Sequence, residues 1–143
     1  MPDEQLYARH QGLGISQEQT VLVVGCGGIG SWLGYLLGLA GVQRLHLFDG
    51  DRIEEHNLSR LPFTPKDIGR YKSEALADLI SRSRPGVEVT AHSHFDPEWH
   101  EAEVKECNWV VVSTDSHKSR VMIHNAVREK VEKFHWRIQY LEC

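Results

Sequence analysis

Val21-Leu22-Val23-Val24-Gly25-Cys26-Gly27-Gly28-Ile29-Gly30 is the stretch on which the reading of this 143-residue chain turns. Four apolar residues, three of them β-branched, predict a short strand buried on both faces, as strands of parallel sheets are. Glycines in G-x-G-x-x-G spacing follow, and Ser31–Ala40, small and apolar, predicts a helix packed closely on the sheet. A strand, a glycine turn and a helix in this order point to phosphate binding. Gly25, Gly27, Gly28 and Gly30 permit a tight turn and let backbone approach a phosphate or sugar. The helix start then offers unpaired N–H groups and a partial positive charge.

The pattern continues on both sides. Residues 44–48 predict a second strand ending at Asp49, 19 residues beyond Gly30, where a carboxylate can accept hydrogen bonds from ribose hydroxyls. Ala75, Leu76, Leu79 and Ile80 share a face of a helix over 71–83, which Pro85-Gly86 ends before a strand over 87–94. A short helix near 97–105, an apolar strand over 109–113, a helix over 117–132 and a strand over 138–141 complete the series. Upstream, Leu6 and Leu13 are spaced for one face of a short helix over 4–13. Segment 50–70 has no clean period and reads as a long irregular connection, a type that is often functional. The alternation predicts an α/β fold, Rossmann-like and doubly wound, with a mainly parallel sheet and helices on both faces. Because Cys143 follows directly on a strand, the expectation is a domain truncated at its C-terminus.

Composition narrows the function classes. Apolar content of 41% and charged content of 25% are ordinary for a globular protein. A formal charge of −4 opposes a general nucleic-acid or membrane-surface role, since both partners reward a basic surface. No apolar run approaches the roughly 20 residues of a membrane span, and Met1-Pro2-Asp3-Glu4 is acidic where a secretory signal is basic. Cys26, Cys107 and Cys143 include no C-x-x-C pair, so a disulfide framework is not expected and a cytoplasmic setting is.

Up to Asp49 an NAD-dependent oxidoreductase explains the residues equally well. Beyond it come Asp49-Gly50-Asp51, Asn57-Leu58-Ser59-Arg60, Gly69-Arg70-Tyr71-Lys72 and Ser113-Thr114-Asp115. A dehydrogenase has no use for an arginine, a lysine and a further aspartate aimed at its cofactor. An enzyme that transfers AMP from ATP must stabilise a pyrophosphate leaving group, and cationic donors with a metal ion do so. Taken singly the residues read blandly. Arg60 and Lys72 could be solvated, Asp115 could cap the next helix, and Asp49 and Asp51 could serve the turn at Gly50. The ordered set carries the functional reading.

That set, with Tyr7-Ala8-Arg9-His10 ahead of the first strand, resembles the ThiF/MoeB family from about Leu6 to about Val127. The adenylation domains of ubiquitin-activating enzymes share its fold. The resemblance implies that residues 1–143 are the ATP-binding N-terminal part of such a domain. It implies that Gly25, Gly27, Gly28 and Gly30 close on the nucleotide, that Asp49 holds the ribose with Asp51 nearby, and that Asn57, Arg60 and Lys72 contact the phosphates. Asp115 would hold Mg²⁺, a hard cation suited to carboxylate and phosphate oxygens. Arg9 would reach the ATP of a neighbouring subunit, which implies a homodimer. The implied acceptor is the C-terminal carboxylate of a ubiquitin-like or sulfur-carrier protein ending in Gly-Gly. It is ionised at neutral pH, needs no general base, and would yield an acyl-adenylate and pyrophosphate. The alternatives are a same-fold enzyme activating a small molecule or tRNA base, an NAD-binding oxidoreductase, and a non-catalytic subunit of a split activating enzyme.

Leu61-Pro62 after Arg60 departs from the family, which usually has Gln there, and the family's second half, with its C-x-x-C zinc pairs where present, does not occur in the sequence. His92, His94 and His100, with Asp96 and Glu98, could suggest a metal, but no second pair converges and they read as surface histidines near a strand end. Cys26 sits beside a helix N-terminus, which could lower its pKa. The simpler expectation is a small residue filling a tight turn, and no cysteine is expected to form a thioester.

Overall fold

The computed structural model describes residues 5–10, 17–134 and 138–143. Five parallel strands form one sheet: β1 (Thr20–Val24), β2 (Arg44–Phe48), β3 (Glu88–His92), β4 (Trp109–Val112) and β5 (Gln139–Glu142). Their spatial order is β3-β2-β1-β4-β5. The chain winds outward from β1 to β3, then returns to lay β4 on the other side of β1. Each connection contains a helix: α1 (Gly28–Leu39), α2 (Lys72–Ser83), α3 (Glu101–Glu106) and α4 (His117–Phe134). This is the expected doubly wound α/β architecture.

Burial follows from that layering. Every residue of β1 is buried, because both faces of a central parallel strand are covered. Val21 and Val23 point into one core with Leu45, Leu47, Val111 and the α2 residues Ala75, Leu76 and Ile80. Leu22 and Val24 point into the other, with Phe48, Val110, Val112, Val104 of α3 and Ile123 and Val127 of α4. Each large apolar side chain removed from water contributes roughly 1.5–3 kcal/mol. Helices α1 and α2 approach closely at glycines. A Cβ at Gly38 would lie 2.5 Å from Cγ2 of Ile80, and one at Gly34 would lie 3.2 Å from Leu76.

Element boundaries differ from the sequence expectations in informative ways. Helix α1 starts at Gly28, three residues early, because the glycine turn itself winds into the first helical turn and Ser31 N donates to Gly27 O at 3.0 Å. Strand β3 ends at His92, and α3 begins only at Glu101, after a turn in which Asp96 Oδ1 accepts the Glu98 N–H. Of the helix expected over 4–13, residues 5–10 are described. They end in a 3₁₀ turn at Ala8–His10 with Leu6 exposed, so no apolar face is buried there, and Leu13 lies outside the described residues.

Segment 50–70 is irregular, as expected, yet it is firmly built. Ile53, Leu61 and Phe63 reach the core, which no periodicity had signalled. Two 3₁₀ turns, Glu55–Asn57 and Pro65–Asp67, are each closed by a reciprocal capping box, Glu54 with Asn57 and Thr64 with Asp67. Arg52 lies 4.1 Å from the centre of the Tyr71 ring and donates to Gly69 O, while Arg70 pairs with Asp67 and Asp78.

The α1–α2 contact yields a packing prediction. Gly38→Ala should lower stability by about 1–3 kcal/mol through overpacking against Ile80. In an Ile80→Ala background the same change should cost less, as a double-mutant cycle by chemical denaturation would show; additive losses would mean that the two helices do not meet there.

Candidate functional site

The strand order reverses between β1 and β4, and the loops leaving their carboxyl ends diverge. In open parallel sheets ligands bind at this position. Here the glycine turn leaves β1, Asp49-Gly50-Asp51 leaves β2 and Ser113-Thr114-Asp115-Ser116 leaves β4. Together they enclose a cleft of about 540 Å³, walled also by Lys72, Phe95, Met122 and Ile123. A second lobe of about 200 Å³ opens on the other side of the same residues, lined by Gly28, Asn57, Arg60 and Arg120 among others. Gly27, Lys72, Ser113 and Asp115 line both lobes and form the septum where they meet.

The four glycines divide into two pairs with different reasons. Gly25 has φ +98°, a conformation other residues rarely adopt, and a Cβ on it would lie 2.7 Å from Ser113 O. A Cβ on Gly30 would lie 1.8 Å from Gly25 O, so α1 could not approach the turn if Gly30 carried a side chain. These two are required by the fold. Gly27 and Gly28 are not: Cβ atoms there would meet nothing within 4 Å. Their missing side chains leave open space at the α1 N-terminus, facing the cleft.

Asp49 ties the turn to β2. Its Oδ2 accepts the Cys26 N–H and its Oδ1 the Asp51 N–H, both at 2.8 Å. Each carboxylate oxygen can accept a further bond, so ribose contact stays compatible with this role. Burial and the neighbouring Asp49 carboxylate, opposed by Lys72, push the Cys26 thiol far above the usual thiol range. The helix N-terminus, which could have lowered this pKa, does not do so, and the direction suits the expected small residue filling a tight turn. Desolvation of a fully buried sulfur outweighs a dipole that the same loop already directs at Asp49.

Lys72, at the start of α2, places Nζ 3.4 Å from Asp51 Oδ2, and its side chain is only 13% exposed against 76% for Asp51. Asn57 is buried with Oδ1 accepting the Glu54 N–H, so part of its role is to close its own turn. Arg60 is exposed at the rim of the smaller lobe, where its carbonyl accepts the Trp32 indole N–H at 2.8 Å. Asp115 is exposed. The helix cap proposed as its bland role belongs to Ser116, whose Oγ accepts the Ser119 N–H at 3.2 Å. Thr114 Oγ1 is buried with no hydrogen-bond partner among the described residues.

Arg9 is not brought to this cleft. It is exposed in the Ala8–His10 turn, and the adjacent Tyr7 packs by Gly41, at the amino-terminal end of the sheet. The sequence reading missed Trp32 and Arg120 as lining or bracing residues, and it quoted Ser113 and Thr114 only as the lead-in to Asp115. Arg120 lies five positions beyond Asp115, one helical turn into α4, and that spacing was the only available signal.

The histidines also need correction. His92 and His100 are half-buried, not surface groups. His46 Nδ1 and His92 Nε2 share a hydrogen bond of 3.1 Å, His92 stacks on Phe48 at 4.3 Å, and His100 meets Phe48 edge-on and stacks against Phe95 at 5.9 Å. Phe48 and Phe95 carry this stack to the wall of the cleft. Among the described residues no group of three His, Cys, Asp or Glu is arranged to hold a metal ion by itself. No described helix is long and apolar enough to cross a membrane.

Comparison with known proteins agrees with this fold. The model of the ThiF family matches residues 8–135. Ubiquitin-like modifier-activating enzyme 5 of Drosophila willistoni is 41% identical over 78 residues, 54% of this chain and 19% of that protein. The crystal structure of E. coli MccB with ATP aligns with a TM-score of 0.71 at 25% identity, over 88% of this chain and 37% of its own. E. coli tRNA N6-threonylcarbamoyladenosine dehydratase, TcdA, shares the fold with a TM-score of 0.79 at 22% identity, over 97% of this chain and 59% of its own. The chain thus spans about a fifth of the length of the activating enzyme it matches.

Two predictions follow from the site. Gly30→Ala should destabilise the fold by about 3 kcal/mol or more, whereas Gly27→Ala should leave the melting temperature within a degree or two and still weaken nucleotide binding. Equal melting temperatures for the two variants would remove the division between fold-required and ligand-facing glycines. The second concerns pH. Burial lowers the pKa of His46 from 6.5, against the pull of Glu103, Glu88 and Glu106, and burial with His46 and His100 nearby lowers that of His92. The unfolded chain therefore binds more protons below about pH 6.5, so this stability is fully present above that pH and is lost as pH falls from there towards the folded values. Thermal unfolding from pH 7.5 to 5 should show the decline, and His92→Gln should flatten it.

Proposed function

Because the chain belongs to the ThiF family, we propose that residues 1–143 are the ATP-binding part of an adenylyltransferase that activates a carboxylate. The observation that carries this is the septum between the two lobes. Lys72 and Asp115 stand together there at an open glycine-lined helix N-terminus, with Arg60 on one side and Asp49 on the other.

The residues fit a nucleoside triphosphate with Mg²⁺. The apolar wall of Phe95, Met122 and Ile123 suits a base, and Asp49 is within the same cleft for the ribose. The open space over Gly27 and Gly28 admits phosphates to the free N–H groups of α1. Arg60, Asn57 and Lys72 line the smaller lobe for the β- and γ-phosphates. Asp115, relieved of helix capping by Ser116, would hold Mg²⁺, which would neutralise charge on the phosphate oxygens. An NAD-binding site would leave this cluster of cations and carboxylate without a task.

In this reading the chain's own residues position and neutralise charge, and none abstracts a proton. The acceptor carboxylate is already ionised. Its oxygen attacks the α-phosphorus, the α–β bridging bond breaks, and pyrophosphate departs into the arginine- and lysine-lined lobe. Catalysis is then orientation with electrostatic stabilisation of the leaving group. The similarity to a ubiquitin-like modifier-activating enzyme supports a ubiquitin-like or sulfur-carrier protein with a C-terminal Gly-Gly as the acceptor. Arg9, outside its own chain's cleft, would act across a homodimer on the partner's nucleotide.

Calorimetric titration of this chain with ATP and Mg²⁺, with NAD⁺ as control, tests the proposal. ATP should bind and NAD⁺ should not. Arg60→Ala and Lys72→Ala should each weaken ATP binding by roughly 10- to 100-fold, the scale of a charge-assisted hydrogen bond. Asp51 is well hydrated, so losing Lys72 leaves no buried charge and the fold should persist. Binding of NAD⁺ in preference to ATP would overturn the proposal.

A further inference from the structure

Arg120 closes the first turn of α4 and lines the smaller lobe with Arg60, Lys72 and Asp115. Its guanidinium is committed at two points. Nε donates to the carbonyl of Thr114 at 2.6 Å, and Nη1 lies 3.5 Å from Oε1 of Glu142 at the end of β5. Its backbone is fixed as well: its N–H donates to Ser116 O at 3.0 Å and its carbonyl accepts the Tyr140 hydroxyl at 3.5 Å. The side chain is 28% exposed, enough burial to strengthen both contacts above the level of a surface pair.

The consequence lies in the peptide that Nε holds. The Thr114 carbonyl belongs to the rigid plane that also contains the Asp115 nitrogen. Fixing that carbonyl fixes the plane and with it the position of the Asp115 Cα, so that only rotations about N–Cα and Cα–Cβ are left to aim the carboxylate. Asp115 has no other anchor, since its carboxylate takes no hydrogen bond or ion pair among the described residues. A carboxylate meant for a hard divalent cation must be left unpaired yet held in place, and an arginine clamp on the preceding carbonyl anchors its backbone without occupying its oxygens.

We propose that Arg120 is a positioning residue for the metal-binding carboxylate Asp115, acting through the Thr114–Asp115 peptide, with Glu142 of β5 holding the guanidinium in place. The assignment rests on the reading of the cleft as an Mg²⁺·ATP site. It differs from a phosphate-binding role for Arg120, because a positioning residue affects only the metal-dependent part of binding. It differs from a purely structural role, because such a role would lower both parts together.

The test compares ATP binding by calorimetry with Mg²⁺ and with EDTA, in the wild-type chain and in Arg120→Gln, Arg120→Lys and Asp115→Asn, each checked for folding by thermal melting. The wild-type chain should bind ATP more tightly with Mg²⁺. Arg120→Gln should weaken Mg²⁺·ATP binding about tenfold or more, the usual cost of removing a group that orients a metal ligand, and leave metal-free ATP binding within about twofold. Arg120→Lys, which keeps the charge but not the planar fork, should recover only part of the loss. In the Asp115→Asn background, Arg120→Gln should add no further loss. Should Arg120→Gln weaken binding equally with and without metal, the residue contacts phosphate or supports the fold, and the positioning role is wrong. Should Arg120→Gln fail to fold, Glu142→Gln supplies the same comparison, and an unchanged metal dependence there overturns the role. A wild-type chain that binds no ATP sinks the reading of the cleft itself. Mg²⁺-dependent binding that is lost in Asp115→Asn and kept in the Arg120 variants sinks only the inference about Arg120.

Discussion

The contact on which the rest of the structure depends is backbone against backbone, between Gly30 and the carbonyl of Gly25. It lets α1 start almost on top of the end of β1, so the helix N-terminus opens into the cleft instead of being set back from it. Any side chain at Gly30 would lever the helix away from the turn and withdraw its N-terminus from the cleft. One steric requirement thus sets both a packing distance and an electrostatic direction. Asp49 reinforces it from the neighbouring strand: by accepting the Cys26 N–H it closes the turn, and its negative charge faces the positive end of α1.

From that contact the site is assembled by topology. Reversal of strand order between β1 and β4 brings the Ser113–Ser116 loop opposite the glycine turn, and the irregular segment after Asp49 comes round to the far side. That segment has no repeating secondary structure, yet its geometry is defined by buried Ile53, Leu61 and Phe63 and by two capping boxes. Those anchors hold Asn57 and Arg60 at the smaller lobe. A loop fixed in this way can present charged side chains with the precision usually associated with helices and strands, because its backbone polar groups are paired and its apolar residues share the domain core.

How much of this was legible in the sequence depends on whether a feature is local. Strands β1 and β4 stood out because burial on both faces demands an unbroken apolar run, and α2 because a one-sided helix must repeat every three to four residues. Asp49, Lys72 and Asp115 could be named because each adjoins a strand end or helix start that was itself readable. Residues whose role is created by the fold were not. Arg120 has meaning only once α4 folds back over the Thr114 carbonyl. The pairing of His46 with His92 arises from the β2–β3 register, in which His46 is opposite Thr90 and reaches His92 diagonally. Ile53 and Phe63 were hidden because irregular segments have no period to betray which side chains turn inward. The early start of α1 was misjudged for a related reason: glycine reads as turn, although at the first helical position it costs the helix little when the fold needs the space.

The placement of charge in the cleft also follows a physical order. Lys72 is mostly shielded and pairs with an exposed aspartate, an arrangement that holds the ammonium near the septum while leaving it a partner that water can easily replace. Arg120 is bound to a carbonyl and a carboxylate and is therefore committed to structure. Asp115, which lines the same lobe, has no hydrogen-bond or ion-pair partner among the described residues. Two cations with different degrees of commitment around one free carboxylate form a site that is electrostatically incomplete by itself. Such a site gains most from a ligand carrying both signs, a polyanion with its own divalent cation, because that ligand satisfies the lysine and the aspartate together. A purely anionic ligand would satisfy only the lysine and would leave the Asp115 carboxylate facing like charge, and a neutral one would satisfy neither.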